Sequence, residues 1–225
     1  MNTNEPLQYI ESPPRDADGS SPPLLVTFHG YGSHMGDLHE LRHVLDPRFH
    51  VVSAQAPIDL APAGMPGGWA WFDLLFQPGE GIGYDPEGAA RAVDAADAFV
   101  RDTAERLGTS ADRIYLLGFS QGSMIAHALL LHGAQSPAGV AACSGRMVDE
   151  IFAGCTDTDR LSGRRLFVSH GRFDDVIPVE CGRSIRDWYA RTGIDLDYHE
   201  YDMAHGIAPD CVADLGSWCT RCLDD

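Results

Sequence analysis

Ile114-Tyr115-Leu116-Leu117-Gly118-Phe119-Ser120-Gln121-Gly122-Ser123-Met124-Ile125-Ala126-His127-Ala128-Leu129-Leu130-Leu131-His132 joins three local patterns. Residues 114–118 are an apolar run of strand length, residues 118–122 form a Gly-x-Ser-x-Gly turn, and residues 123–132 continue as a helix. A turn of this kind holds its serine on a sharp, strained bend with the hydroxyl exposed, which requires small neighbours; Gly118 and Gly122 supply them. The helix start behind the serine also favours negative charge developing beside it. Ser120 is therefore the candidate nucleophile.

Working outward, short apolar runs recur at 24–28, 51–54, 140–144 and 166–170, and residues 196–201 alternate in the manner of a strand nearer an edge. Helical stretches separate them. In the clearest, 86–107, Ala89, Val93, Ala96, Val100 and Leu107 fall on one face, with Asp85 as N-cap, Pro86 at the first helical position and Gly108 after the last turn. Further helices are expected at 37–44, 123–132, 181–191 and 212–223. Alternating strands and helices predict an α/β fold, a mostly parallel central sheet with helices on both faces. With 225 residues the chain is expected to form a single domain, 1–225, with residues 1–23 an irregular lead-in.

Residues 56–83 are rich in Pro and Gly yet carry Trp69, Trp71, Phe72 and Phe76. A long loop that spends four large aromatics is expected to be a lid or pocket wall near the active site.

The acidic residues number 33 against 16 basic ones, a net charge of -17, and every basic residue is Arg. A field of that sign repels polyanions and anionic membranes, so neither nucleic acid nor stable membrane association is expected. No basic segment followed by an apolar stretch opens the sequence and no apolar run spans a bilayer, so the expected address is the cytoplasm. There the six cysteines are read as thiols, and Cys219 and Cys222 as a lone C-x-x-C without a second metal-binding pair.

A serine needs a base within hydrogen-bonding reach and a third group that fixes the base's tautomer. Behind an elbow of this kind the acid and then the base follow on loops after later strands. His199 lies inside the alternating run, whereas His205 follows it, in Asp202-Met203-Ala204-His205-Gly206. For the acid, Gly171-Arg172-Phe173-Asp174-Asp175-Val176-Ile177-Pro178 offers two adjacent carboxylates after 166–170, and the residues alone do not separate them. Asp149, Asp157 and Asp159 stand in an irregular polar stretch and are expected to face solvent.

Together Phe28-His29-Gly30-Tyr31-Gly32, Ala70-Trp71-Phe72, Gly118-Phe119-Ser120-Gln121-Gly122, His170-Gly171 and His205 resemble the phospholipase/carboxylesterase family of α/β-hydrolases. The resemblance covers most of the chain. It implies the α/β-hydrolase fold and places the acid on Asp174, with two residues between it and His-Gly and three between it and the following proline. It implies an oxyanion hole of backbone N–H groups from Tyr31 and Gln121, with Tyr31 standing where the family often has Leu. It also implies an apolar acyl pocket, for which Trp69, Trp71, Phe72 and Met35 are the candidates.

The expected activity is that of a serine carboxylesterase acting on a small-molecule ester through an acyl-enzyme, with no cofactor or metal. A lysophospholipase or an acyl-thioester hydrolase is the alternative within this chemistry. A non-catalytic binding module is expected to lack a triad member, and all three are present. A homodimer stays open.

Overall fold

The computed structural model describes residues 6–17, 21–77, 81–148, 154–155 and 157–224; Asp149 and the side chain of Phe76 lie outside the described parts. Seven strands form the central sheet: β1 (Tyr9–Ser12), β2 (Leu24–Phe28), β3 (His50–Ala54), β8 (Ile114–Phe119), β9 (Gly139–Cys143), β10 (Arg165–Gly171) and β11 (Asp195–Tyr201). Their spatial order is β1-β3-β2-β8-β9-β10-β11. All neighbours pair in parallel except β1, which runs antiparallel to β3. The chain carries the α/β-hydrolase fold.

The order of the sheet follows from its apolar content. The inner strands β2, β8 and β9 are buried almost throughout, as strands covered on both faces must be. β11 lies at an edge and is half-buried along most of its length, in keeping with its alternating sequence. β1 emerges from the stretch expected to be irregular. Its four residues, Tyr-Ile-Glu-Ser, alternate between exposed and half-buried, too short and polar a pattern to announce a strand.

Alternating side chains divide the core into two layers. Leu24, Val26, Phe28, Val52 and Leu116 face helices α2 (Pro86–Leu107), α3 (Gln121–His132) and α4 (Val179–Tyr189). Leu25, Val51, Tyr115, Leu117 and Phe167 face the other way, onto the short α1 (Gly36–His39) and onto α5 (Pro209–Asp224). Helix α3 is buried from Gln121 to Leu131, which explains why its sequence is apolar on every side.

Helix α2 begins and ends as its signals require: Asp85 accepts a hydrogen bond from the Glu87 N–H, and Gly108 closes the helix at φ 65°. Its buried face differs from the expected one. Ala89, Ala92, Ala96, Phe99, Val100, Thr103 and Ala104 are buried, while Val93 and Leu107 are only half-buried. The small alanines let the helix lie close to the sheet, and Phe99 packs its ring 5.6 Å from that of Tyr9 on the edge strand.

The described residues within 56–83 are not structureless. They carry the hairpins β4 (Ile58–Asp59) with β5 (Trp69–Ala70), and β6 (Leu74–Gln77) with β7 (Gly81–Tyr84).

At the far edge, Arg183 of α4 holds Glu200 of β11 with two hydrogen bonds of 2.8 and 2.9 Å. Chiefly through these, the Glu200 carboxyl is pulled down to about 2. A carboxylate with a depressed folded-state value stabilises above its unfolded value, roughly 4.3, and loses that contribution as pH falls through the folded one. Urea unfolding of the wild-type protein and Glu200→Gln is therefore expected to differ most above about pH 4.5 and to converge towards pH 2. A pH-independent gap between the two would contradict this.

Candidate active site

The carboxyl ends of β8, β10 and β11 bring three loops together. Directly after β8, Ser120 sits at φ 54°, ψ -116°, a backbone conformation unfavourable for a residue with a side chain and maintained only by its surroundings. Its N–H donates to the Cys143 carbonyl at 2.9 Å. The flanking glycines allow no substitute: a Cβ on Gly122 would overlap the Phe28 carbonyl, and one on Gly118 the Gly122 carbonyl. The elbow is thus pressed against β2 and its following loop.

His205 stands on the loop after β11 and Asp174 on the loop after β10. These loops are stitched together by backbone hydrogen bonds, Arg172 N–H to Tyr201 O at 2.8 Å and Phe173 N–H to Met203 O at 3.1 Å. Gly171 permits the contact, since a Cβ there would run into the Met203 carbonyl. The outcome is a relay of side chains. His205 Nε2 lies 2.9 Å from Ser120 Oγ, and His205 Nδ1 lies 2.7 Å from Asp174 Oδ2.

With Nδ1–H donated to the carboxylate, Nε2 presents its lone pair to the serine hydroxyl, the tautomer that proton removal requires. The other carboxylate oxygen of Asp174 accepts from the N–H groups of Val176 at 3.0 Å and Ile177 at 2.8 Å. The Asp174 side chain is fully buried, whereas Asp175 is exposed. Buried His170 braces the same loop by donating from Nε2 to the Ile177 carbonyl at 2.8 Å. Asp157 and Asp159 face solvent.

The expected oxyanion donors are the N–H groups of Tyr31 and Gln121, which follow the β2 loop glycine and the serine directly. That of Gln121 opens α3, where no preceding helical turn can accept it. The Gly30 carbonyl accepts from His29 Nδ1 at 2.8 Å and from the Ser33 N–H at 3.2 Å. The Tyr31 N–H, on the opposite side of that trans peptide plane, is turned the other way. A Cβ on Gly30 would stand 3.3 Å from Ser120 Cβ, so this loop lies directly against the nucleophile. His29 is held neutral: burial pushes its imidazole down, and Nε2 accepts from the Ala56 N–H at 3.1 Å and Gln55 Nε2 at 3.0 Å.

The aromatic residues require a correction. Trp71 and Phe72, expected to line an acyl pocket, are each 1% exposed and belong to the core. Trp71 packs edge-on against Phe28, with ring centroids 5.4 Å apart. Their bulk fills the layer beneath the site and offers no wall to a substrate. Trp69 and Met35 remain half-buried.

Two features carried no signal in the sequence. Met65, 41% exposed, reaches the loop after β2, its Cε 2.8 Å from where a Gly32 Cβ would be. The Gln121 side chain accepts from the Trp71 N–H at 2.8 Å and donates to the Phe72 carbonyl at 2.8 Å. Neither contact follows from spacing or periodicity. Among the described residues no three His, Cys, Asp or Glu side chains cluster as a metal would need. Cys219 and Cys222 are buried in α5, and burial pushes the Cys222 thiol up to about 11.

The sequence profile of the Phospholipase/Carboxylesterase family matches residues 14–223. Acyl-protein thioesterase 1 of Mycosarcoma maydis is 28% identical, covering 88% of this chain and 90% of that protein. Acyl-protein thioesterase 1 of Candida albicans is 26% identical, with 88% and 92% covered. Among solved structures, esterase PE8 superposes with a TM-score of 0.82 at 27% identity, covering 96% of this chain and 99% of that one. The Bacillus cereus carboxylesterase gives 0.81 at 20% identity, covering 98% and 96%, a likeness of fold.

The two adjacent carboxylates give a direct contrast. Asp174→Asn, which removes the acceptor that sets the His205 tautomer, is expected to lower kcat on a p-nitrophenyl ester roughly 10⁴-fold. Asp175→Asn is expected to change kcat by less than about twofold, as befits an exposed side chain outside the relay. A larger loss at Asp175 would reverse the assignment.

Proposed function

Since the chain belongs to the phospholipase/carboxylesterase family, we propose that it hydrolyses small carboxylic esters, with Ser120 as nucleophile, His205 as general base and Asp174 as the group that orients and stabilises the imidazole. The observation that carries this reading is the unbroken relay from Ser120 Oγ to His205 at 2.9 Å and on to Asp174 at 2.7 Å.

His205 Nε2 takes the Ser120 proton as Oγ attacks the ester carbonyl carbon. The carbonyl oxygen becomes an alkoxide facing the Tyr31 and Gln121 N–H groups, which stabilise the charge. The imidazolium, paired with the buried Asp174 carboxylate, returns its proton to the leaving alcohol. A water activated by the same imidazole then attacks the acyl-enzyme, and collapse releases the acid and restores the serine. No step in this cycle draws on a group other than this chain's own residues and water.

Acyl-thioesters undergo the same two steps with a thiol as leaving group. That second reading is favoured by the relatives named acyl-protein thioesterase. Lysophospholipids are less suited, because a net charge of -17 opposes approach to anionic lipid surfaces. No helix among the described residues is long and apolar enough to cross a membrane, and we place the protein in the cytoplasm, where its six free cysteines stay reduced.

Ser120→Ala is expected to lower kcat on short p-nitrophenyl esters by roughly 10⁶. Assayed side by side, short esters are expected to turn over faster than an acyl-thioester, and both faster than a lysophospholipid. Undiminished turnover by Ser120→Ala would remove the nucleophile from the account, and a dominant thioester rate would replace the ester reading with the second one.

A further inference from the structure

We propose that residues 69–72 form a strap that sets the spacing between the two halves of the oxyanion hole, with the Trp71 indole and the Gln121 side chain as its positioning groups. The inference rests on the reading of Ser120 as the nucleophile and deepens it. The two N–H donors belong to distant parts of the chain: Tyr31 lies in the loop after β2, and Gln121 opens α3. The strands that lead to them, β2 and β8, pair as neighbours as far as Phe28 and Gly118, and both donors lie beyond that pairing.

The strap touches both. Towards the first donor, the Gly32 N–H donates to the Trp69 carbonyl at 2.9 Å and the Trp69 N–H to the Ser33 carbonyl at 2.9 Å. The Trp71 indole N–H adds a bond to the His29 carbonyl at 2.9 Å. Towards the second, the Trp71 N–H and the Phe72 carbonyl clasp the two ends of the Gln121 amide, each at 2.8 Å. Trp71 serves both sides at once. Its main chain holds the elbow, and its rigid ring holds the residue that precedes Gly30.

Gln121 is 2% exposed and Trp71 is 1% exposed. In such surroundings hydrogen bonds are strong and directional, and shifting one partner strains the next. The neighbouring contacts leave little slack, since Gly30 already stands close to the Phe119 ring and to Ser120 Cβ. An oxyanion hole works only while its donors lie about 2.7–3.1 Å from the position of the developing charge. A displacement of a few tenths of an ångström therefore weakens binding of the tetrahedral intermediate before it disturbs the ester in its ground state. A buried amide whose only task was to fill space would be replaced without kinetic consequence by an apolar side chain of similar length.

The test uses Gln121→Met, which keeps the length and loses both hydrogen bonds, and Trp71→Phe, which keeps an aromatic ring and loses the indole N–H. Wild-type labelling of Ser120 by a fluorophosphonate and turnover of p-nitrophenyl acetate come first. An inert wild-type protein would sink the esterase reading and this inference with it.

In an active protein, each variant is expected to lose about 10–100-fold in kcat, part of what deleting a whole oxyanion donor costs, with KM within about twofold. Affinity for phenylboronic acid, which forms a tetrahedral adduct on the serine, should fall by the same factor. The acid limb of the pH–rate profile should stay in place, because His205 and Asp174 are untouched. Should Gln121→Met fail to fold, Trp71→Phe carries the comparison alone. A folded variant with kcat and boronate affinity within about twofold of wild type overturns the inference, whatever its Tm. So does a loss that resides in KM, or a displaced acid limb.

Discussion

The backbone bend at Ser120 is the constraint on which the site is built. A residue held at φ 54° stores of the order of 1–3 kcal/mol of strain, and the surrounding contacts must hold it there. They do so by proximity: α3 starts so close to β2 that only glycine fits at 122, and the elbow closes so tightly that only glycine fits at 118. The same closeness brings the His29–Gly30–Tyr31 loop against the serine. One steric demand thus fixes the strained serine and packs the loop that follows β2 against it.

The acid and base depend on a second close approach. The loops after β10 and β11 share backbone hydrogen bonds beside Gly171, which ties the position of Asp174 to that of His205. Burying a carboxylate is costly unless its oxygens are satisfied, and Asp174 meets that condition with one bond to the imidazole and two from backbone N–H groups. Its charge can then remain in place as the imidazolium forms. Asp175, one residue further on, points into water and shares none of these contacts.

Much of this was legible in the sequence, because the parallel strands are buried on both faces and show as apolar runs. Their observed ends lie within a residue of the expected ones, and the helix at 86–107 carried every start and stop signal. Ser120 and His205, which lie 2.9 Å apart in the structure, could be singled out from the elbow and from chain order. The choice between Asp174 and Asp175 could not, since it turns on which way one side chain faces within a short loop; only the family resemblance pointed to Asp174. Trp71 and Phe72 were misjudged for a related reason: a Pro- and Gly-rich setting marks a loop but does not say whether its aromatics turn inward. The clasp of Gln121 on the strap joins positions far apart in the chain, and no local pattern encodes it.

The account stands on covalent catalysis at one oxygen atom. The direct measurement is mass spectrometry of protein quenched in acid during turnover of p-nitrophenyl acetate. An acetyl group on the peptide that contains Ser120, formed and lost at rates matching turnover, is the predicted result. Sustained hydrolysis with that peptide unmodified, or with the acetyl group on another residue, would contradict it.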